Sequence, residues 1–449
     1  MTTSRWGLAA AAIAAISALT ASWSTLAATV TVQVGPNTLA NNRAPGQLVQ
    51  DFKSPSLAVN PNDPANLVVA FRNDAPDFGC QPSYTIDGGR TWTASIFPPP
   101  RRGSCWAPAV AFGDTDHVYI AAQDRKGTPP GPRCTDVSVW ASADGGRTFG
   151  NPTLIPQSNI GNVTCPFSVQ AGIAVDLTQK KNTSGPRIYV TWYAFPNFAS
   201  NRVYLTHSDD GGATWSDPLS NPVATENQFA ETPTVAPDGT VYVVYKDADS
   251  ATGCFAVGFG PFGPSTCPIR VLRSSDGGAS FDSANSTMAG FEVANAAYDD
   301  LTAGEAPGIA VAPSGEIFVT FASLADLPTP NGCVRSLQAY IARSSDRGRT
   351  WTKQRLNDDP CSGGAAHRDP WVSVAPNGRV DAIFYDTRND LDRVLTDAYF
   401  TTSSDNGSTF ATNRRVSDRK LRSDSAAEPQ SAQFRLQRVR REQRRGLNR

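Results

Sequence analysis

Charge is scarce in this chain. Only 18% of the residues are Asp, Glu, Lys or Arg, and the formal net charge is -1. Soluble domains usually carry about a quarter of charged residues, and a surface that attracts polyanions needs an excess of basic ones. We therefore expect no nucleic-acid partner for the body of the protein.

Long apolar runs are also missing, except at the N-terminus. Residues 1–30 read MTTSRWGLAAAAIAAISALTASWSTLAATV, with Arg5 ahead of an Ala-rich run and small residues near Ala27. This pattern predicts a secretory signal peptide over residues 1–27, with an uncleaved anchor as the alternative. The eight cysteines fit the oxidising compartment that a signal implies. We expect a secreted or periplasmic protein with no membrane segment after cleavage.

Helical periodicity is absent from the body of the chain, where one short turn recurs instead. The six copies, which we call the repeat turns, are YTIDGGRTW (84–92), SADGGRTF (142–149), SDDGGATW (208–215), SSDGGASF (274–281), SSDRGRTW (344–351) and SSDNGSTF (403–410). The Asp or Ser can accept backbone N–H bonds, the Gly tolerates positive φ, and the Trp or Phe can anchor the hairpin. Each repeat turn is therefore predicted to join two antiparallel strands.

Strand-like segments alternate between the repeat turns. Stretches such as TPTVAPDGTVYVVYKD (232–247) and APGIAVAPSGEIFVTFA (306–322) each read as two short strands around a turn. A third strand precedes each repeat turn and a fourth follows it. A chain of 449 residues could form two or three separate domains, but six four-stranded units favour one all-β, six-bladed β-propeller over a seven-bladed one. We assign the propeller to residues 28–416 and expect the strand TVTVQV (29–34) to pair into the last blade.

Composition changes after the sixth repeat turn. Residues 417–449 carry ten Lys or Arg against four acids and have few strand formers. We predict a disordered basic extension. The alternatives are an arm for nucleic acid or acidic surfaces and a segment that replaces a lost seventh blade or closing strand, which would compromise closure of the ring.

The repeat turns resemble a known family. Their pattern, S-x-D-x-G-x-T-[WF], is that of the Asp box, or BNR repeat, found in sialidases, in some xyloglucan-degrading hydrolases and in sortilin-type receptors. The resemblance extends over residues 56–416. It implies a propeller with the turns on the face opposite the active site, in a superfamily that contains both enzymes and binding proteins.

Blade position sorts the cysteines onto the face opposite the repeat turns. We predict Cys80, Cys134, Cys254, Cys267 and Cys333 in loops after second strands, and Cys105, Cys165 and Cys361 in connectors to the next blade. Pairing within each blade then predicts the disulfides Cys80–Cys105, Cys134–Cys165, Cys254–Cys267 and Cys333–Cys361. A metal cluster is the alternative, but no C-x-x-C spacing occurs.

Polar residues gather at the same face, and the resemblance implies roles for them. In sialidases three Arg hold the substrate carboxylate, a Tyr polarised by a Glu is the nucleophile, and an Asp is the acid/base. Combined with location in the blades, the resemblance implies Tyr385 with Glu305 or Glu231 as the nucleophile pair, Asp74 as the acid/base, and Arg72, Arg335 and Arg388 as the clamp. Asp247, at the end of a second strand, and Asp369, at the entry to a first strand, are predicted from their positions as further substrate-binding residues. Arg72 would act from a second strand, because the first-blade stretch DFKSPSLAV has Lys53 where sialidases have an Arg.

The resulting functional hypothesis is a secreted, sialidase-like glycoside hydrolase that acts on a glycan or glycoconjugate, with exo-α-sialidase activity as its specific form. The alternative is a catalytically silent propeller that binds glycans or proteins. The sequence does not set the oligomeric state.

Metal-ligand patterns are sparse, and we expect no cofactor. Calcium is the alternative, because the stretch FYDTRNDLD (384–392) is rich in oxygen ligands. The candidate ligands are Asp386, Asn389, Asp390 and Asp392. The three histidines, His117, His207 and His367, are spread over three blades, so the sequence predicts neither a zinc site nor a Ser-His-Asp triad.

Overall fold

The fold is all-β. The computed structural model of the chain describes residues 37–38, 40, 52–73, 79–126, 134–156, 167–178, 186–195, 202–220, 228–247, 265–282, 291–298, 306–324, 336–360, 363–393 and 395–422. Within these ranges the long elements are all β-strands, and no α-helix occurs. The prediction of an all-β chain is confirmed.

The strands form six blades of four antiparallel strands, each in chain order, and a parallel bridge between Thr135 and Phe167 joins the strands of blades 2 and 3. Blade 1 contains β1 (Phe52–Val59), β2 (Leu67–Asn73), β3 (Gly79–Thr85) and β4 (Thr93–Ala94); blade 2 contains β5 (Gly103–Phe112), β6 (Val118–Lys126), β7 (Cys134–Ser142) and β8 (Thr153–Leu154); blade 3 contains β9 (Phe167–Asp176), β10 (Arg187–Phe195), β11 (Arg202–Ser208) and β12 (Leu219–Ser220); blade 4 contains β13 (Gln228–Val235), β14 (Val241–Asp247), β15 (Ser265–Ser274) and β16 (Phe291–Tyr298); blade 5 contains β17 (Gly308–Val311), β18 (Ile317–Leu324), β19 (Leu337–Ser344) and β20 (Thr352–Arg355); blade 6 contains β21 (His367–Val374), β22 (Val380–Asp386), β23 (Leu395–Ser403) and β24 (Arg414–Arg415), with β25 (Leu421–Arg422) beside β23. The predicted six-bladed β-propeller is confirmed.

The antiparallel order gives each blade two distinct ends. The hairpins between third and fourth strands contain the repeat turns in all six blades, as predicted, and we call their side of the ring the lower face. The starts of the first strands, the ends of the second strands and the starts of the third strands lie at the opposite end. We call that side the upper face.

Each repeat turn is held by side-chain hydrogen bonds to its own backbone. In blade 2, Asp144 accepts bonds from the Thr148 backbone N–H (2.9 Å) and the Thr148 hydroxyl (2.5 Å). The Ser142 hydroxyl donates to Asp144 Oδ1 (2.8 Å) and accepts from the Gly146 N–H (3.1 Å). Equivalent bonds to the Asp recur in the other five turns. In blade 5 the bond from Thr350 lowers the pKa of Asp346 to about 2.

The glycine two residues after the Asp lies against the preceding blade in some repeat turns. Gly146 has a φ of +86°, and a Cβ at this position would lie 2.3 Å from Cγ2 of Val68 in blade 1. Gly407 of blade 6 approaches Phe318 of blade 5 in the same way, at 2.5 Å from Cε1. At these two positions glycine is required by the close approach as well as by the backbone conformation.

The hydrophobic core lies between the blades. A buried cluster spans each of the five junctions from blades 1 and 2 to blades 5 and 6. At the last of these, Phe318 and Ile341 of blade 5 pack with Phe384 and Tyr399 of blade 6. Burying apolar surface between consecutive sheets is what stabilises such a ring.

The junction that closes the ring, between blades 6 and 1, is different. In the part of the chain that the structure describes, no buried cluster spans it. Ala58 packs toward blade 2, so its neighbour Leu57, 55% exposed, lies on the opposite face of blade 1. Ala382 likewise packs toward blade 5, whereas its neighbour Ile383 stays 42% exposed.

Two residues ahead of blade 1 contact both sides of this closing junction. The Asn37 amide donates to the carbonyl of Val416 in blade 6 (2.9 Å) and accepts from the Asp418 N–H (2.7 Å). The hydroxyl of the next residue, Thr38, donates to the Gly89 carbonyl in blade 1 (2.6 Å). This short segment therefore bonds the last blade to the first.

Several predictions about the termini fall outside the described residues. They are the signal peptide (1–27), the strand 29–34 and most of the basic tail (423–449). The chain remains in blade 6 past the predicted boundary at residue 416, because β25 pairs with β23. Among the described residues, no helix has the length and apolar character needed to span a membrane.

One disulfide is described, between Cys80 and Cys105, with a Cα–Cα distance of 5.3 Å. This is one of the four predicted pairs, but its placement differs from the prediction. Cys80 lies on β3 rather than in a loop, and Cys105 lies on β5, the first strand of the next blade, so the bond joins blades 1 and 2. The strands extend further toward the upper face than the sequence pattern indicated. The side chains of the other six cysteines lie outside the description.

Candidate active site

The first strands are irregular at the upper face. In blade 6, Arg368 pairs with Tyr385 but Trp371 pairs with Ile383, so two residues of β21 face one residue of β22. The bulge contains Asp369, whose φ of 46° is unusual for a residue other than glycine. Similar shifts occur in the first strands of blades 1, 2, 3 and 4. Bulges of this kind re-aim side chains at the rim of a site.

The structure brings together Tyr385 and Asp369, two of the residues predicted for the site. Tyr385 is half-buried on β22, and burial followed by the charge of Asp369 raises the pKa of its phenol. The surrounding protein raises the pKa of Asp369, while the charges of Arg368 and Lys246 oppose that rise. Asp369 keeps an accessible side chain despite these neighbours. The carboxyl of Asp369, which solvent can reach, therefore lies close enough to Tyr385 for its charge to act on the phenol.

Blade 4 contributes a cation to the same region. Lys246, on β14, is 1% exposed, and its charge reaches Asp369 of blade 6. The neighbouring Asp247, predicted to bind substrate, is 2% exposed and accepts a bond from Arg270 Nε at 2.8 Å. Residues from two blades thus meet at the upper face, as expected for a pocket at the mouth of the channel.

Arg72, a predicted clamp residue, has a stacking partner. Its guanidinium carbon lies 4.2 Å from the ring centroid of Trp106, and that of Arg125 lies 5.5 Å from the same ring. Arg72 is 1% exposed and pairs with Cys80 across the sheet, beside the disulfide. This arrangement fixes Arg72 at the junction between blades 1 and 2.

Arg388, another predicted clamp residue, lies on the other side of blade 6. Its Nη1 lies 2.7 Å from Asp358 and its Nε lies 2.5 Å from Asp386, and its guanidinium stacks on Tyr399 at 4.3 Å. Because Tyr385 and Asp386 are consecutive in a strand, their side chains point to opposite faces. The structure therefore does not bring Arg388 to the side of the sheet where Tyr385 lies.

The remaining predicted residues are not described. Asp74, Glu305 and Arg335 lie outside the described ranges, as does the side chain of Glu231. Their roles stay predictions. Lys246 and Arg368 were not predicted as site residues, although each directly precedes a residue that was. That adjacency, at the upper end of a strand, was the signal that could have identified them.

The four calcium candidates do not converge on one point. Asp386 bonds to Arg388, and Asn389 donates to Asp397 Oδ2 (2.9 Å) and to Tyr399. Asp390 accepts from the Leu395 N–H at 3.0 Å. The remaining candidate, Asp392, is exposed.

Comparison with known proteins identifies the fold. No protein-family model matches the chain, and neither does any curated protein. A polysaccharide lyase described as an ulvan lyase is similar with a TM-score of 0.51 and 12% identity, over 82% of this chain and 85% of that one; the same lyase was solved bound to -[GlcA(1-4)Rha3S]-. A protein of unknown function from Dyadobacter fermentans gives a TM-score of 0.49 and 18% identity, over 75% and 90% of the two chains. A Hadza microbial sialidase gives 0.46 and 13%, over 80% and 68%. These identities bear on the fold alone.

Proposed function

We propose that the protein is a glycan-active enzyme, a sialidase-like glycoside hydrolase whose nucleophile is Tyr385. The observation that carries this proposal is the position of Asp369 in the bulge, beside the residue that pairs with Tyr385, from which its charge acts on the phenol. A phenol has a pKa of about 10 and stays protonated at neutral pH, so it needs a neighbouring base to become a nucleophile. Asp369 supplies that base, in place of the Glu that the family resemblance implies.

The reaction follows from this pair. Asp369 takes the phenolic proton as the Tyr385 oxygen forms a bond to the anomeric carbon of the sugar. The glycosidic bond breaks at the same carbon, and an acid, for which we propose Asp74, protonates the departing oxygen. Water then attacks the anomeric carbon of the glycosyl-tyrosine and gives a proton to the Asp74 carboxylate, while Asp369 returns the phenolic proton to the departing Tyr385 oxygen. The configuration at the anomeric carbon is therefore retained.

The cations near Asp369 favour an acidic sugar. Lys246 and Arg368 both act on Asp369, and a sugar carboxylate bound beside them would gain charge-assisted hydrogen bonds. A structurally similar ulvan lyase was solved with a bound saccharide that contains glucuronate. This supports the proposal that the substrate of the present protein also carries a carboxylate. Sialosides are the specific substrates we propose, and the exo-α-sialidase activity is part of the proposal.

One observation favours the alternative, a silent glycan- or protein-binding propeller. The clamp of three Arg needs guanidinium groups that can reach a ligand. Arg388 is held by Asp358 and Asp386, and Arg72 is stacked on Trp106. A protein without this clamp could still bind acidic glycans through Lys246 and Arg368.

The test is hydrolysis of a fluorogenic sialoside and of a panel of aryl glycosides, with ultraviolet detection of unsaturated uronates on acidic polysaccharides. Tyr385→Phe and Asp369→Asn are each expected to lower kcat/KM by roughly 100- to 10,000-fold. The matched control is Tyr340→Phe, because Tyr340 is a half-buried strand tyrosine of blade 5 that stacks on Phe321.

The outcomes separate the hypotheses. Hydrolysis that both blade 6 variants abolish and the control retains supports the enzyme. No hydrolysis, together with binding on a glycan array, favours the silent propeller. Unsaturated products would show that the protein cleaves its substrate by elimination and not by hydrolysis. Activity retained in Tyr385→Phe would overturn the proposed role of Tyr385 as the nucleophile.

A further inference from the structure

A cluster of buried ligand atoms lies where blade 5 connects to blade 6. It contains Asp359, which follows β20, His367 at the start of β21, and Asp386 at the end of β22. One oxygen of each carboxylate and the Nε2 atom of His367 all lie within 4.8 Å of one another. The side chain of Asp359 is 10% exposed, and those of His367 and Asp386 are 0% exposed. The cluster is closed from solvent and separate from the Tyr385 side of the sheet.

The histidine ring is oriented so that Nε2 faces the carboxylates. Its Nδ1 lies 2.9 Å from the backbone carbonyl of Leu337, which can only accept a hydrogen bond, so Nδ1 is the N–H donor. This leaves Nε2 directed into the cluster. A metal-binding histidine commonly uses its second nitrogen in this way, to fix the tautomer and the ring orientation.

Nε2 has close neighbours but makes no hydrogen bond. It lies 2.9 Å from Asp359 Oδ1 and 3.3 Å from Asp386 Oδ2, yet it is a buried ring nitrogen without a hydrogen-bond partner. The two oxygens therefore lie beside the direction in which an N–H would point rather than along it. An ion held between the three atoms would account for this arrangement.

The separations suit a small divalent ion. Zinc binds nitrogen and oxygen at about 2.0–2.2 Å with tetrahedral angles, which places neighbouring ligand atoms about 3.3 Å apart. Of the two separations from Nε2, the one to Asp386 (3.3 Å) equals this value and the one to Asp359 (2.9 Å) is somewhat shorter. One imidazole with two carboxylates favours Zn²⁺ or a similar first-row ion over Ca²⁺, which takes six to eight oxygens.

The carboxylates around the cluster carry more negative charge than the neighbouring arginine compensates. Asp358, Asp359 and Asp386 surround one guanidinium, that of Arg388, which contacts all three. Asp358 is 36% exposed, so the two buried carboxylates, Asp359 and Asp386, share this one guanidinium, and a bound cation would balance the remaining negative charge. Buried carboxylates need such compensation because an unpaired charge is costly away from water.

The carboxylates have further partners that would hold them in place. Asp359 Oδ1 accepts a bond from Asn357 Nδ2 (2.8 Å), and Asp386 Oδ1 accepts from the Arg388 backbone N–H (2.6 Å). Bonds of this kind orient ligating carboxylates.

We propose that Asp359, His367 and Asp386 form a binding site for one Zn²⁺-type divalent transition-metal ion. The ion would tie the connector after blade 5 to the first two strands of blade 6. The site does not depend on the proposed glycan chemistry, because it lies on the face of blade 6 that packs against blade 5.

The test uses the full chain, stripped with a chelator and dialysed. Uptake of Zn²⁺ is measured by elemental analysis, affinity by competition with a chromophoric indicator, and coordination by the visible absorption of Co²⁺ added to the stripped protein. The ligand variants are Asp359→Asn and Asp386→Asn. The matched control is Asp136→Asn, because Asp136 is another buried aspartate that bonds to an arginine, Arg102, at 2.7 Å.

The wild type and the control are expected to bind one Zn²⁺ per chain and to give a Co²⁺ spectrum. Each ligand variant should bind Zn²⁺ at least roughly 10- to 100-fold more weakly and lose the spectrum. Wild-type protein that takes up no stoichiometric Zn²⁺ would reduce the cluster to an ion pair between His367 and two carboxylates. An Asp359→Asn variant that binds Zn²⁺ as tightly as the wild type would also overturn the site. This variant is the more suitable of the two for the test, because Asp359 lies in a connector and its replacement should disturb folding least.

Discussion

On the lower face of the ring, six turns make the same hydrogen bonds, whereas on the upper face each blade presents different polar groups. Asp144 and its five counterparts each bind the backbone of their own hairpin. At the upper face, Arg72 stacks on a tryptophan, Lys246 acts on an acid of another blade, and Arg388 joins three aspartates. The hydrogen bonds of a repeat turn join residues of one short motif, so they recur wherever the motif recurs. The contacts between blades at the upper face differ from blade to blade, because each depends on the residues of two different loops.

This difference assigns separate tasks to the two faces. The lower face stabilises each blade and, through glycines such as Gly146, its contact with the blade before it. The upper face carries the strained residue Asp369 and the buried cation Lys246. Such features cost stability, and they are typical of functional sites.

The largest loss of stability is expected for Gly146→Ala. The new Cβ would meet Val68 at 2.3 Å, in a backbone conformation with φ of +86°. Strain of roughly 1–2 kcal/mol and overpacking of roughly 1–3 kcal/mol together predict a loss of about 3 kcal/mol in the free energy of unfolding. The control is Gly89→Ala, at the same position of the first turn, where φ is +87° and the nearest side chain is its own Trp92 at 3.6 Å. Urea unfolding should show the control losing about 2 kcal/mol less, and equal losses would contradict the role of the preceding blade.

Removing the disulfide between blades 1 and 2 should have a comparable effect. The bond closes a sequence separation of 25 residues, for which the chain-entropy account predicts about 3 kcal/mol. The double variant Cys80→Ala with Cys105→Ala should therefore unfold at lower urea concentration, and a reducing agent should not lower its stability further through this pair. Unchanged stability would show that the hydrophobic cluster alone holds these two blades together.

Acid should weaken the lower face selectively. Hydrogen bonds lower the pKa of the turn aspartates, and those of Asp346 and Asp405 fall to about 2. A depressed carboxyl pKa contributes stability above the unfolded value near 4, and that stability is lost as the pH falls toward 2. Urea midpoints measured across this range should fall less steeply for Asp346→Asn than for the wild type. Identical slopes would mean that this turn is not part of the acid transition.

The smallest of these effects is expected at the closing junction. Asn37→Ala removes two exposed hydrogen bonds to blade 6, which predicts a loss of about 1 kcal/mol. Hydrogen exchange should then rise at the fourth strand of blade 6 before it rises elsewhere. A loss several times larger would show that the ring depends on its N-terminal segment to close.

The sequence predicted the lower face well, because its bonds join residues within one turn. Asp144 and Thr148 are four positions apart, so their contact follows from the local pattern. The number of blades and the Cys80–Cys105 pair were also predicted from the repeat. The strand bounds were not, and for that reason Cys105 was assigned to the wrong blade.

The upper face was harder to predict because its partners come from distant loops. Arg388 was taken for a substrate-binding residue, and nothing local indicated that Asp358 from the preceding connector would bind it. His367 was set aside because the histidines are scattered, yet its neighbours in space are two aspartates. The bulge that exposes Asp369 depends on the register between β21 and β22, which no local pattern specifies.

The central claim is that the upper face carries the activity and the lower face carries the stability. The most direct test measures both kcat/KM and the free energy of unfolding for two variants, Tyr385→Phe and Ser142→Ala. The substrate for kcat/KM is the glycan of the panel that the wild type hydrolyses best. Ser142→Ala removes the hydroxyl that bonds both Asp144 and Gly146. We expect Tyr385→Phe to lose activity and keep its stability, and Ser142→Ala to lose about 2 kcal/mol of stability and keep its activity. Tyr385→Phe that retains full activity, or Ser142→Ala that loses activity while staying folded, would contradict this claim.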